Sequence, residues 1–92
     1  MRLRLTRTAA RQLDHVLADI ARHNPSGADA VRRRIGACLE LLLRHPYAGQ
    51  TTDRRGIRRI VVSPYPYIMT YRVGADEVIV RTIRHTARRP GA

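Results

Sequence analysis

The side chains best suited to chemistry are arginines that lie inside two apolar, strand-like runs late in the chain. The runs cover residues 56–72 and 78–85. Arginine carries a planar, permanently charged guanidinium that binds carboxylates and phosphates through paired hydrogen bonds. It does not act as a general base, because it stays protonated at any useful pH. The pattern therefore predicts a surface that binds anions.

The second run ends at His85, a residue type whose imidazole titrates near neutral pH. Such a histidine is either a general base or a strand-end side chain bonded to backbone. The chain contains no lysine, so a tunable amine is not available as a base. Tyr67 and Tyr71 lie four residues apart on one face of a predicted strand. Their rings are expected to cover the core or a groove, and the alternative is that they stack on the bases of a nucleic acid.

No metal or cofactor site is predicted. His15, His23, His45 and Cys38 lack the spacing of metal ligands, and no glycine-rich phosphate loop or Ser/His/Asp arrangement occurs. Cys38 falls on an apolar helical stripe and is interpreted as inert core. As the one cysteine it forms no internal disulfide, which agrees with a reducing compartment.

Length and charge define the class of partner. The 92 residues are expected to form a single domain over residues 1–92. The net charge is +11, and all 18 basic residues are arginine, which predicts an anionic partner: nucleic acid, an acidic protein or a membrane surface. The membrane is disfavoured, since no apolar stretch approaches the roughly 18 residues that a spanning helix needs. Without a signal-peptide pattern, we expect a cytoplasmic protein.

A short strand and a helix open the chain. Residues 2–5 alternate arginine and leucine, which is typical of a half-buried strand. Thr6 then offers an N-cap. Apolar residues recur at helical spacing up to residues 23–24, and Pro25 is expected to end the helix.

A second helix follows directly. Ser26 and Asp29 resemble a capping box at its start, and it is expected to end at residues 44–45, before Pro46. The arginine run over residues 32–34 is interpreted as a solvated face. Because few residues separate the two helices, they should form an antiparallel hairpin.

The period changes to that of strands after a loop over residues 46–56. Three strands are predicted over residues 57–63, 67–73 and 77–85, joined as an antiparallel meander. The predicted fold class is α+β with the order β-α-α-β-β-β. The helical hairpin packs on one face of a small, mostly antiparallel sheet, and the other face stays available.

The first strand of the meander places arginine on both of its faces. Arg58, Ile60 and Val62 point to one side, and Ile57, Arg59 and Val61 point to the other. Burying an unpaired arginine costs more free energy than a small domain can spare. At least one of Arg58 and Arg59, together with Arg81, must therefore open onto solvent or a groove.

Five short motifs occur in a characteristic order. They are Asn24-Pro25 between the helices, His45-Pro46-x-x-Gly49, Gly56-x-Arg58, Tyr67-x-x-x-Tyr71-Arg72, and the ending Arg84-His85-Thr86-Ala87-Arg88-Arg89. Together they resemble the RelE/ParE superfamily of bacterial toxins over nearly the whole chain. The resemblance implies a toxin of a type II toxin-antitoxin system, held inactive by a co-expressed antitoxin wrapped around it. It also implies that the target is either the ribosome or DNA gyrase.

The details of the resemblance favour the ParE branch. Ile68 stands where many ribosome-dependent nucleases of the superfamily carry an arginine, and their C-terminal tyrosine is missing after His85. ParE-like members often close on a His-x-Ala-Arg-Arg pattern and are associated with gyrase poisoning. We therefore favour a non-enzymatic, ParE-like toxin that inhibits growth by poisoning DNA gyrase, and we assign it no catalytic residue and no cofactor.

Two alternatives stay open. The first is a RelE-like, ribosome-dependent mRNA endoribonuclease, in which Arg58, Arg59 or Arg81 holds phosphate and His85 is the base. The second is a basic nucleic-acid-binding module that uses its sheet, with steeply salt-dependent binding.

The uncovered sheet face and the positive charge call for an acidic, partly disordered antitoxin segment that folds on binding. The residues assigned to antitoxin or target binding are Arg58, Arg59, Tyr67, Tyr71, Arg72, Arg81, His85 and Arg88. Within this set, the arginines expected to contact antitoxin carboxylates are Arg58, Arg59, Arg72 and Arg81.

Overall fold

The computed structural model describes residues 1–87, which form two helices and a five-stranded sheet. The elements in chain order are β1 (Arg2–Leu5), α1 (Arg7–His23), α2 (Pro25–Arg44), β2 (Gln50–Thr51), β3 (Arg58–Val61), β4 (Tyr67–Val73) and β5 (Glu77–His85). The predicted α+β class and the predicted order of helices and long strands are confirmed. Among the described residues, neither helix is long and apolar enough to cross a membrane.

The sheet has the strand order β1-β5-β4-β3-β2. β3, β4 and β5 form the predicted antiparallel meander, and β1 lies parallel to β5 at one edge. The strand β2 falls inside the region predicted as loop, so that part of the prediction was wrong. This strand consists of two residues, which pair with Arg58 and Arg59 of β3, and its extended form depends on that pairing.

Helix α1 begins as predicted. The Thr6 hydroxyl accepts a hydrogen bond from the Ala9 N–H at 3.1 Å, which satisfies a free donor of the first turn. The same hydroxyl donates to the Arg81 carbonyl at 3.1 Å, so the cap also fixes α1 to β5. The Gln12 side chain adds a second tie by accepting from the Ile83 N–H at 2.8 Å.

The predicted cap of helix α2 is wrong by two residues. Asn24 is the N-cap, and its side-chain oxygen accepts from the Gly27 N–H at 2.9 Å and from the Ser26 hydroxyl at 3.0 Å. Pro25 is the first residue of the helix. Proline is tolerated at this position because the backbone N–H that it lacks would have no hydrogen-bond partner within the helix. Asp29 pairs with Arg32 and Arg33 instead of closing a capping box.

The core lies between the helical hairpin and one face of the sheet. The buried residues of its larger cluster are Ala9, Val31, Ile35, Cys38, Val62, Met69, Val80 and Ile83. Cys38 is 3% exposed, and burial raises the pKa of its thiol, as expected for an inert core cysteine. A smaller cluster joins Leu42 of α2 to Tyr71 and Val78 of the sheet.

Candidate anion-binding groove on the open face

Strand register brings the polar residues of β3, β4 and β5 into rows on the sheet face turned away from the helices, called here the open face. One row contains Val61, Ile68 and Arg84, and the next contains Gln50, Arg59, Thr70 and Thr82. A further row contains Arg72, Ile79 and Arg4. Residues directly opposite each other share a face, so arginines that are distant in sequence become neighbours.

Arg81 reaches the open face through an irregularity in β5. Pairing between β4 and β5 passes from Thr70 and Thr82 to Tyr71 and Val80, so Arg81 is an extra residue without a partner on β4. A β-bulge of this kind redirects a side chain. Arg81 consequently lines both cavities of the open face.

Two adjoining cavities, of about 440 and 540 Å³, occupy the open face. They share Arg54, Ile57 and Arg81 and therefore form one continuous depression, called here the arginine groove. The guanidinium groups that line it belong to Arg54, Arg55, Arg59, Arg72, Arg81 and Arg84. None of these six forms an ion pair with a carboxylate within residues 1–87, although Asp53 lies in the lining.

The loop before β3 forms the wall of the arginine groove. The Thr52 hydroxyl donates to the Ile57 carbonyl at 2.9 Å and accepts from the Arg54 N–H at 3.1 Å, which closes the loop on itself. Gly56 has φ +77°, a backbone conformation that glycine adopts without strain. This turn brings Arg54 and Arg55 to the groove.

The floor of the arginine groove is apolar and hydroxylic. Thr70 and Thr82 face each other across β4 and β5, and their hydroxyl groups are hydrogen-bonded. Ile57 and Ile68 complete this floor. Two hydroxyls in contact use one proton between them, so the second proton remains available to an incoming acceptor.

The structure places three of the predicted site arginines together. Arg59, Arg72 and Arg81 all line the arginine groove, and His85 lies at its end. The requirement that at least one of Arg58 and Arg59, together with Arg81, open onto solvent or a groove is met by Arg59 and Arg81. Arg88 lies outside the described residues.

Arg58 lies elsewhere, and its assignment to antitoxin or target binding stays a prediction. It shares the helix-facing side of the sheet with Tyr71, donates to the Gly49 carbonyl at 2.9 Å and to the Tyr47 carbonyl at 3.3 Å, and lies 5.0 Å from the centre of the Tyr47 ring. These contacts provide the guanidinium of Arg58 with hydrogen-bond acceptors, which the apolar side chains of the core lack. Arg58 therefore holds the loop after α2.

Tyr71 is buried, with 0% of the residue exposed, so its side chain presents no surface to a partner in this structure. Its phenol donates to the Pro46 carbonyl at 2.7 Å and accepts from the Gly49 N–H at 2.9 Å. Burial raises the pKa of this phenol, opposed by the Gly49 hydrogen bond and the charge of Arg58. A Cβ on Gly49 would lie 2.5 Å from the phenolic oxygen, so the loop approaches Tyr71 closely only because residue 49 is glycine.

Tyr67 and His85 form a pair on the helix-facing side at the end of the sheet. Their rings are 5.4 Å apart at 86°, an edge-to-face arrangement. Both line a separate cavity of about 440 Å³ beside α1, together with Arg11, Gln12, His15, Val16, Asp19, Ile83 and Arg84. Tyr67 is thus directed away from the arginine groove.

His85 is bonded to backbone. Its Nδ1 accepts a hydrogen bond from the Ala87 N–H at 3.0 Å. With Nδ1 used as an acceptor, the neutral ring carries its proton on Nε2. In this arrangement the lone pair of the neutral ring accepts from the backbone, and Nε2 is left as a donor.

Five residues of the arginine groove were missed by sequence reasoning: Arg54, Arg55, Arg84 and the hydroxyl pair of its floor, Thr70 and Thr82. The signal available for Arg54 and Arg55 was their position directly before the turn glycine, Gly56. No local signal marks the threonine pair, because its members belong to two strands.

The architecture and the open basic face define a toxin of the RelE/ParE superfamily. Residues 3–90 match the family described as ParE toxin of the type II toxin-antitoxin system parDE, and the chain belongs to that family. It is similar to the candidate toxin Y4kP of Sinorhizobium fredii, with 34% identity over 84 residues, 91% of this chain and 86% of that protein. The protein is therefore a type II toxin, and its class implies an antitoxin partner.

Solved structures share the fold. The chain is similar to a chromosomal ParDE system from P. aeruginosa, with a TM-score of 0.79, 24% identity, and coverage of 92% of this chain and 95% of that one. For the isolated E. coli RelE toxin the TM-score is 0.69 at 18% identity, covering 96% and 86%. For a YoeB/ParE toxin from Agrobacterium tumefaciens it is 0.68 at 17% identity, covering 92% and 98%.

Proposed function

We propose that this protein is a ParE-like toxin that acts in the bacterial cytoplasm by poisoning DNA gyrase, without cutting RNA, and that an acidic antitoxin neutralises it. The observation that carries the proposal is the state of His85. Its Nδ1 is occupied by the Ala87 N–H at 3.0 Å, beside a groove whose other prominent groups are arginines. The match to the ParE family supports the same conclusion.

RNA cleavage by attack of a 2′-hydroxyl needs a base, a cation for the developing charge and an acid for the leaving oxygen. The arginine groove provides cations in excess. Arginine provides no base, and the Nδ1 lone pair of His85 accepts from the Ala87 N–H in this arrangement. A groove with this lining is suited to holding an anion, and poorly suited to cleaving one.

The antitoxin segment that fits the arginine groove is acidic and partly apolar. Carboxylates would pair with Arg59, Arg72 and Arg81, which have no carboxylate partner within residues 1–87. An apolar side chain would cover Val61, which is 45% exposed on the open face beside Ile68. Burial of this apolar pair and neutralisation of charge both favour a segment that folds on binding.

Inducible expression in bacteria tests the mode of action. We expect gyrase-linked DNA breaks to accumulate while transcripts stay intact, and we expect His85→Ala to retain toxicity because the imidazole takes no part in chemistry. Transcripts cut at the ribosomal A site, together with loss of cutting in His85→Ala, would establish the nuclease alternative instead.

The antitoxin surface is tested with the short acidic protein expected from the open reading frame next to the toxin gene. Arg59→Ala and Arg81→Ala should each weaken its affinity about tenfold and flatten the dependence of affinity on salt, since each removes a charge-assisted contact. Arg33→Ala is the matched control, because Arg33 lies on helix α2 and pairs with Asp29. Equal affinity and salt dependence in all three variants and the parent would reject the surface.

A further inference from the structure

We propose that the arginine groove binds the phosphate backbone of duplex DNA. The toxin would then contact both DNA gyrase and the DNA bound to gyrase. The inference deepens the proposed function and rests on it for the identity of the DNA as a gyrase-bound segment. The side chains of the arginine groove define the chemistry of the ligand.

The positions of the arginines match a row of phosphates. Arg84 is paired with Ile68, and Arg72 follows Ile68 by four residues on β4, with the bulged Arg81 between these two arginines on β5. At about 3.3 Å per residue, Arg84 and Arg72 are separated by about 13 Å along the strands. One strand of duplex DNA presents a phosphate about every 3.4 Å of axis, and successive phosphates also turn around that axis, so a row of this length laid along the duplex lies within reach of about three to four phosphates.

The charges of the groove are available to such a ligand. Arg4 pairs with Glu77 at 3.0 Å at the far end of the open face, whereas the six groove arginines have no ion-pair partner among residues 1–87. Guanidinium groups bind phosphate oxygens in a bidentate manner, and the Thr70–Thr82 pair retains a hydroxyl proton for a further phosphate oxygen. Charge and hydrogen-bond donors therefore both suit a phosphodiester.

The lining contains a single aromatic side chain within residues 1–87, His85 at its end, and this scarcity of rings favours duplex over single-stranded nucleic acid. Single strands are typically held by bases stacked on aromatic rings, and duplexes by backbone contacts. Tyr71 is buried, Tyr67 lines the cavity beside α1, and Tyr65 packs against the core. Tyr47 lies against Arg58, on the helix-facing side. Within residues 1–87 the groove offers mainly cations and hydroxyls, and its one ring, that of His85, is already packed edge-to-face against Tyr67.

The test is fluorescence anisotropy with a labelled 20-bp duplex of arbitrary sequence and the full chain. With about four phosphate contacts, the slope of log affinity against log salt should be about −3 to −4, which is about a hundredfold loss between 50 and 200 mM salt. Arg59→Gln and Arg81→Gln should each reduce the slope by about one. Arg33→Gln, with the same change in net charge, should leave it unchanged.

An equal reduction of the salt slope in the groove variants and in Arg33→Gln would show that net charge alone is responsible for DNA binding and would overturn the proposal. Arg59 is exposed, so Arg59→Gln remains informative if Arg81→Gln fails to fold by circular dichroism. A single-stranded RNA of equal charge should bind more weakly than the duplex, and so should a poly-glutamate peptide. Tighter binding of either one would overturn the assignment in favour of that class of ligand.

A gyrase cleavage assay separates this proposal from the function on which it rests. Groove-dependent DNA binding without gyrase-linked breaks would reject gyrase poisoning and leave the DNA site standing. Breaks that persist undiminished in Arg59→Gln and Arg81→Gln, without groove-dependent DNA binding, would reject the DNA site and leave gyrase poisoning standing.

Discussion

The helical layer and the open face of the sheet treat the same residue type in opposite ways. On the helices, Arg22, Arg32 and Arg33 lie three or four residues after an aspartate and pair with it. On the open face, arginines of the groove lie beside threonine, isoleucine and other arginines. A helix can pair some of its own charges through local spacing, whereas a sheet collects charge from distant segments.

The comparison indicates which side maintains the fold and which side is kept for binding. Uncompensated positive charge on the open face repels itself and opposes folding, whereas the helix-facing side carries the larger core cluster. Four changes test this division, beginning with the largest expected effect.

Neighbouring residues of β4 provide the strongest test. Met69 is 0% exposed against the helices, and truncation by Met69→Ala should lower the free energy of unfolding by about 2 to 5 kcal/mol. Ile68→Ala, one residue away on the open face, should cost less than half as much because its side chain is already partly solvated. Chemical denaturation measures both. Equal losses would show that the open face is part of the core.

Tyr71→Phe tests the hydrogen bonds beneath the groove. The change leaves the Pro46 carbonyl and the Gly49 N–H without their phenol partner, at a cost of about 1 to 3 kcal/mol. Because burial raises the pKa of Tyr71, the stability it contributes is complete below pH about 10 and falls as pH rises through the folded pKa. Thermal melts across the alkaline range should show a shallower decline in Tyr71→Phe.

Tyr47→Phe is the control for that change. Tyr47 is 66% exposed, and phenylalanine keeps the ring that contacts Arg58. Its stability and its alkaline decline should match those of the parent. A decline as steep in Tyr71→Phe as in the parent would contradict the role given to the buried phenol.

Asn24→Ala tests the start of helix α2 and should cost about 1 kcal/mol, since the Gly27 N–H loses its acceptor. Ser26→Ala should cost much less, because the Ser26 hydroxyl only donates to the Asn24 side chain. Denaturation midpoints distinguish the two. A larger loss for Ser26→Ala would restore the cap predicted from sequence.

The smallest effect concerns charge on the two sides. Asp29→Asn removes the partner of Arg32 and Arg33 and should destabilise by about 0.3 to 0.5 kcal/mol per pair at low salt. Arg59→Gln should be neutral or slightly stabilising, because it relieves repulsion within the groove. Melts repeated at about 1 M salt should bring both variants to the parent value. Destabilisation by Arg59→Gln at low salt would mean that the open face supports the fold.

Local signals predicted the helices and long strands well. Thr6 caps α1, α2 ends at Arg44, and β4 and β5 have the predicted bounds, because caps, prolines and periodicity act over a few residues. Prediction fell short where distant residues decide the outcome. The strand β2 exists through its pairing with β3, and Arg58 is held by carbonyl groups of another loop.

The sequence by itself determined the class of this protein, its positive charge and the residue type that meets its partners. Tertiary structure decided which arginines act together. Alternation along a strand separates Arg58 from Arg59, the bulge brings Arg81 onto the open face, and register places Thr70 opposite Thr82. The reason is physical: a sheet joins segments through hydrogen bonds between strands, and the pairing of strands depends on the burial of the entire opposite face.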